Sequence, residues 1–312
     1  MQKHVAERQS DGLTAGAFSN AYVLLILTML FWAGNSVVAR GSVGLVPPFT
    51  LAWTRWTVAA ALILPFAWPH LKRDLGVIRA HWPILLLLGT LGTGSFVSVY
   101  YYGVSKTTAL NALIINSAVP ILIPLAIFAF YRETLTRMQA AGILVSFIGV
   151  LAVLTKGDPA LLATFELNEG DLWVLLSMMI WAVYTALLRK QPRMHWMSFA
   201  ALSFIVASLV NLPLFLGEYT SGLRIVPSLH SALAIAYVST FPSLVAQIFY
   251  IRGVALIGGT RAGVFMHLIP LFGGIMAILF LGEQLHLFHL SGFALILSGV
   301  WLASRPARIV AN

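Results

Sequence analysis

Apolar blocks of about twenty residues, separated by short polar punctuation, recur along the whole chain. A helix that crosses a bilayer needs roughly 20 mostly apolar residues. By that measure the pattern predicts ten spans, at residues 20–40, 48–68, 82–103, 107–130, 137–155, 171–189, 195–216, 230–251, 258–281 and 286–304. In lipid a lone segment must satisfy its own backbone N–H and C=O groups, and blocks this long do not follow the ten-residue alternation of barrel strands. The spans are therefore expected to be α-helices. The polar stretch Met1–Phe18 reads as a tail, because no small-residue cleavage site follows the first apolar block.

The blocks also repeat. Gly103, Pro120, Glu133, Leu135, Gly142 and Gly149 return as Gly253, Pro270, Glu283, Leu285, Gly292 and Gly299, all at an offset of 150 residues. Trp32, Ala33 and Arg40 return as Trp181, Ala182 and Arg189 at 149, and Pro65 as Pro213 at 148. Such self-similarity marks a duplicated unit. Each unit holds five spans, an odd number, so the second copy must enter the membrane from the opposite side. The expected fold is an all-α membrane protein with ten transmembrane helices in two inverted five-helix repeats. Its parts are an N-terminal cytoplasmic tail (1–19), the first repeat (20–155), a periplasmic linker (156–170), the second repeat (171–304) and a cytoplasmic tail (305–312).

Composition agrees, with 59% hydrophobic and only 9% charged residues; a soluble domain averages about 25% charged. The net charge of +9 might suggest nucleic acid, but its distribution does not. With the N-terminus inside, 14 of the 19 Lys and Arg fall on the inner side, among them Lys72, Arg73, Arg132, Arg189 and Arg261. Four, Arg40, Lys106, Lys156 and Arg224, fall outside, and Arg55 lies within a span. Positive charge retained on the inner side sets orientation, so both termini are expected in the cytoplasm and no nucleic-acid partner is implied. Two similar units of opposite orientation supply inward-open and outward-open states of similar energy, the plan of many secondary transporters.

A ten-span chain built this way resembles the drug/metabolite transporter superfamily and its EamA-repeat family. The features that carry the likeness are the Trp-Ala pairs of spans one and six, Arg55 in span two, the prolines Pro120 and Pro270, and Gly282-Glu283-Gln284-Leu285, repeated less fully as Arg132-Glu133-Thr134-Leu135. It covers residues 20–304 and is strongest toward bacterial aromatic amino acid exporters. What the resemblance implies is an inner-membrane exporter of amino acids, aromatic and other neutral ones, working by alternating access. A carrier of another small organic solute or a drug is the alternative. The bilayer and a small-molecule substrate are the implied partners, and a monomer is compatible with this reading.

Polar residues inside spans are costly and face the bundle interior, so the candidate cavity residues are sought among them. They are Trp32, Asn35, Tyr100, Tyr101, Asn111 and Asn116 in the first half, and Trp181, Tyr184, Gln247, Tyr250 and His267 in the second. Amides and phenols suit an amino acid's polar ends, and indoles its side chain; interhelical hydrogen bonding is the alternative role. Arg55 reads either as a carboxylate anchor or as a side chain snorkelling to the headgroups beside Trp53 and Trp56. His267 reads as a proton relay or as a neutral packing group. Glu133 precedes a Thr136-x-x-Gln139 capping box and reads as a turn or interface device. Pro120 and Pro270, in mid-span, are expected to act as hinges.

Absences narrow the class. By position every Asp and Glu falls in a loop or at a span end, so the cavity is expected to be free of acids. That disfavours lone cations and proton antiport through a buried carboxylate. No phosphate-binding loop, metal-ligand cluster or convergent acid–base group suggests a pump, a metal, a cofactor or an enzyme. With no cysteine there is no thiol chemistry.

Overall fold

The computed structural model describes residues 20–42, 44–107, 109–164, 166–281 and 286–305, so the Gly282–Leu285 element lies outside the described residues. Among these residues every regular element is helical and no strand occurs. The first half holds α1 (Ala21–Gly41), α2 (Pro48–Gly89), α3 (Phe96–Ser105), α4 (Ala109–Asn116), α5 (Val119–Tyr131) and α6 (Arg137–Leu154). The second holds α7 (Glu169–Leu187), α8 (Trp196–Thr220), α9 (Leu229–Val238), α10 (Ala246–Ile257), α11 (Gly259–Val264), α12 (Leu268–Leu281) and α13 (Leu287–Ser304). Among the described residues seven helical segments are long and apolar enough to cross a membrane.

One of these, Pro48–Ser105, runs for 58 residues, far beyond a single crossing. The sequence pattern places a polar connection at 69–81; the structure instead carries the helix straight through Lys72, Arg73 and Asp74. Leu71, Leu75 and Ile78 keep an apolar stripe going there, so the backbone stays helical beyond the apolar block. The break comes at His81 (φ −122°, ψ 19°), two residues before Pro83, whose missing N–H and ring clash end the ladder.

Other helix ends follow local chemistry. α6 starts with the capping box expected at Thr136 and Gln139: Gln139 N donates to Thr136 Oγ1 at 3.2 Å, and Thr136 N to Gln139 Oε1 at 2.9 Å. Asn168 and Asp171 do the same for α7, and Ser228 and Ser231 for α9. The two remaining interruptions recur at one place in each half. A π-helical turn at Thr90–Ser95 joins α2 to α3, and a second, at Ser239–Val245, joins α9 to α10. α4 stops at Asn116 and α5 restarts at Val119 with Pro120 in its first turn; the 3₁₀ turn Phe265–His267 stands before α12, where Pro270 is the third residue. A first-turn proline costs little, because its N–H would have no partner there anyway.

Packing pairs like with like. α2 lies against α8 and α6 against α13, while α1 is held by α10 and α12 and α7 by α3 and α5. Each half's opening helix is thus gripped by helices of the other half. A Cβ on Gly103 would meet Val174, and one on Gly253 would meet Leu25, a swap of equivalent positions. In the α6–α13 seam, a Cβ on Gly142 would stand 2.6 Å from the Gly299 carbonyl, and one on Gly149 would stand 2.7 Å from that of Gly292. Glycine is what lets these backbones touch. The early residue of one helix meets the late residue of the other, so the pair runs antiparallel.

Candidate functional site

Between the halves lies a cavity of about 650 Å³, its mouth included. From the first half it is walled by Trp32 and Asn35 of α1, Arg55 and Trp56 of α2, Gly92 of the π turn, Phe96, Val97, Tyr100 and Tyr101 of α3, and Asn116 at the end of α4. From the second come Met178 and Trp181 of α7, Pro242 of the other π turn, Gln247 of α10, Met266 and Ile269. A mostly apolar lining with a few placed polar groups is the usual make-up of a small-molecule site. No Asp or Glu lines it.

Arg55 is the charged member. It is 4% exposed and sits in the cavity wall. Its Nε donates to Ser243 Oγ at 2.6 Å and its Nη1 to Tyr101 Oη at 2.9 Å. The guanidinium carbon also stands 5.0 Å from the Trp56 ring centroid. Ser243 accepts readily because its own proton goes to the Val238 carbonyl, five residues back, at 2.6 Å. The second π turn thereby positions a partner for an arginine in the other half. Both partners are neutral, and among the described residues Arg55 forms no salt bridge with a carboxylate.

An aromatic cluster makes the opposite wall. Trp181 lies 5.2 Å from Trp32, 4.8 Å from Phe96, 5.2 Å from Tyr184 and 5.0 Å from Tyr250, centroid to centroid. Trp32 Nε1 donates to the Pro242 carbonyl at 3.1 Å. Two polar atoms of the wall are buried with no hydrogen-bond partner, Asn35 Oδ1 and Trp56 Nε1, while the Trp181 indole lies against Tyr250. Buried polar groups are normally bonded, so such atoms in a cavity wall are open to a ligand or water.

Trp32, Asn35, Arg55, Tyr100, Tyr101, Asn116, Trp181 and Gln247 are thus brought together around one space. Four other expected cavity residues are placed elsewhere. Asn111 gives its amide to Asp171 Oδ2 at 2.9 Å and to the Glu166 carbonyl, fastening α4 to the start of α7. Tyr184 packs behind Gly92, where a Cβ would collide with its ring, and accepts from Gln247 Nε2 at 3.0 Å. Tyr250 shares a hydrogen bond of 3.0 Å with Thr185 beneath the two indoles. His267 is fully buried in the interior. Its Nε2 donates to the Ser117 carbonyl at 2.9 Å, and its Nδ1 lies 2.6 Å from Ser146 Oγ, the satisfied arrangement of a packing histidine. Asp171 and Glu218 are also buried, both as helix caps. Glu218 accepts from the backbone of Phe49 at 3.0 Å and of Thr50 at 2.6 Å.

Sequence reasoning missed the apolar lining, because it looked only for polar residues in spans. One signal was available: Gly92 and Pro242, which both line the cavity, are themselves 150 residues apart.

A second, open and polar hollow lies where α5, α7 and α10 end and α11 begins, with Glu133, Gln139, Arg189, Gly258 and Arg261 around it. There Arg189 grips Glu133 with both arms, at 2.5 and 2.7 Å, and stacks 5.1 Å from the Tyr131 ring centroid. Tyr131 Oη donates to the Ala186 carbonyl at 3.2 Å. Hydrogen bonds from Arg189 hold the Glu133 carboxyl below its ordinary 4.5. From Trp181 to Arg189 is eight residues of sequence, about 12 Å of helix, so this closure stands well away from the cavity. Among the described residues no group of three or more His, Cys, Asp or Glu could hold a metal.

Comparison with known proteins gives the same outline. "Uncharacterized transporter YyaM" of Bacillus subtilis (strain 168) is 27% identical over 302 residues, covering 93% of this chain and 95% of its own. An "Uncharacterized transporter" of Archaeoglobus fulgidus is 26% identical over 289 residues, 92% of this chain and 98% of its own. A protein solved by crystallography superposes with a TM-score of 0.74 over 91% of this chain and 96% of its own; at 21% identity this likeness shows the fold alone. None of these names a substrate. Residues 19–155 and 168–305 each match the EamA-like transporter family, so the two repeats read from glycine and proline offsets are two copies of its domain. The chain is a member of the EamA-like transporter family, a membrane transporter built from two such domains.

Proposed function

We propose that this transporter exports amino acids, aromatic ones among them, across the bacterial inner membrane. Ten crossings with both termini cytoplasmic would carry it, α2 and the segment through α3 making two of them. The observation that carries the proposal is the cavity: it lies between the halves, takes residues from both, and combines indoles and phenols with amides and one guanidinium while bearing no acid. Aromatic walls suit an aromatic side chain, and the amides suit the polar end of an amino acid.

Two features support alternating access between inverted halves. The equivalent helices α6 and α13 run antiparallel, in contact through reciprocal glycines, as two copies related by an axis in the membrane plane would. The Glu133–Arg189 closure then serves as the cytoplasmic gate, tying the end of α5 to the end of α7. The chain breaks before Pro120 and Pro270 are the hinges on which the ends of these spans swing.

Purified protein in liposomes loaded with unlabelled phenylalanine should take up labelled phenylalanine by counterflow. Repeating the assay across a pH gradient shows whether protons are coupled. No exchange with any amino acid would remove the amino-acid reading and favour another small organic solute.

A further inference from the structure

We infer that the cavity selects for a carboxylate, and that a ligand's ammonium group adds nothing to recognition. Resting on the transport reading of this cavity, the inference narrows the substrate class to apolar, preferably aromatic carboxylates, deaminated acids included. Arg55 carries a guanidinium, and it is buried with only neutral partners. A buried charge left without a counter-charge is a standing cost to the fold, and an anionic ligand removes it.

The hydrogen bonds also set the geometry. Of five N–H donors, Ser243 takes the one on Nε and Tyr101 takes one on Nη1. These two bonds fix the plane and direction of the fork. The remaining Nη1 proton and both Nη2 protons have no protein acceptor among the described residues, and this edge matches a carboxylate's two oxygens. Nearby, the unpartnered Trp56 Nε1 is also a donor. Against these, the wall's one unpartnered acceptor is the neutral Asn35 Oδ1. The unsatisfied groups of the wall are therefore mostly donors, including a full positive charge. An ammonium would meet repulsion with no acid to offset it, while a carboxylate meets a preformed fork.

Three probes of one ring size separate the two polar groups: 3-phenylpropionate carries only the carboxylate, phenethylamine only the ammonium, and phenylalanine both. Trp32, Trp56 and Trp181 line the cavity, so binding to the purified full chain can be read from tryptophan fluorescence. In the unmodified protein phenylpropionate should bind at least as tightly as phenylalanine, and phenethylamine should not bind. Arg55→Gln should weaken phenylpropionate by about 10- to 100-fold, the loss of a charge-assisted bond. Arg55→Lys, which keeps the charge without the fork, should recover part of it.

Tyr101→Phe separates anchoring from a merely structural strap. It removes one support of the fork, so it should leave the preference for acid over amine intact. Binding of phenethylamine comparable to phenylpropionate, or no response to any probe, overturns the inference in the unmodified protein without recourse to a variant. So does an Arg55→Gln protein, eluting as a single species, that binds phenylpropionate unchanged. Phenylpropionate binding without phenylalanine binding would remove the amino-acid reading and leave this one. Phenylalanine binding untouched by Arg55→Gln would do the reverse.

Discussion

Two places where the halves meet are built on opposite plans. In the α6–α13 seam, unbroken helices touch backbone to backbone, with glycine at Gly142, Gly149, Gly292 and Gly299. Around the cavity α1 and α7 run unbroken, but the other helical runs are interrupted: by π turns at Thr90–Ser95 and Ser239–Val245, by the break after Asn116, and by the 3₁₀ turn at Phe265–His267. The seam has no room to change, which is what an axle for the proposed alternating access would need. The irregular turns around the cavity stand where side chains are aimed into it. Continuous backbone contact marks the seam; broken helix is found at the cavity alone of the two.

The contrast can be tested from its strong end downwards. Gly299→Val places side-chain carbons on the Gly142 carbonyl and should prevent a stable seam, because backbone cannot step aside. Overpacking of this kind costs about 1–3 kcal/mol or more. Loss of a monodisperse peak in detergent is the expected result, and a normal melting temperature would contradict the axle. Gly92→Ala presses on the Tyr184 ring behind the cavity wall, so it should leave folding intact and cut counterflow roughly tenfold. Tyr184→Leu in the same chain should restore part of the rate by withdrawing the ring. Equal rates in Gly92→Ala and the unmodified chain would show that the wall is slack.

Smaller effects belong to the gate. The Glu133–Arg189 side chains are 52% and 38% exposed, so their pair contributes at most about 1 kcal/mol. Glu133→Gln should shift the inward-closed population by no more than about fivefold, readable by cysteine accessibility. Its pH behaviour has a definite sign. Arg189 lowers the Glu133 pKa, so the pair is fully formed above the ordinary 4.5 and is lost as pH falls through the lowered value. Cytoplasmic-side accessibility should rise there in the unmodified protein and stay flat in Glu133→Gln. Least of all should follow from Leu209→Ala on the lipid side of α8, where the residue is 62% exposed: under about 0.5 kcal/mol, with unchanged transport.

The all-helical class and the duplication could be read in the sequence because lipid enforces them. Twenty apolar residues have few alternatives in a bilayer, and glycines that touch across a seam cannot drift. The site was only half legible, for a geometric reason. Polar character marks a residue as facing inward, and Asn35, Arg55 and Gln247 face the cavity, but inward includes other helices. Asn111 and His267 spend their polarity on Asp171, Glu166, Ser117 and Ser146, and no spacing rule separates the two fates. The lining of Met178, Val97 and Ile269 has the same character as lipid-facing residues. The fate of Arg55 depended on Ser243 and Tyr101 lying within its reach, a fact of folding across 188 and 46 residues.

The π turns carry one more consequence. Each holds an extra residue relative to a plain α-helix, and one residue is about 100° of rotation. That extra residue is taken up within the turn itself. Deleting a single residue within Thr90–Ser95 would therefore restore plain α-helix, remove the irregular backbone that bears Gly92, and leave Tyr100 and Tyr101 on the face they hold. The same deletion within Ser239–Val245 would keep Gln247 on its face and remove the turn that carries Ser243 to Arg55. The loss of one codon could thus reshape the backbone of the wall while the side chains on either side keep their places.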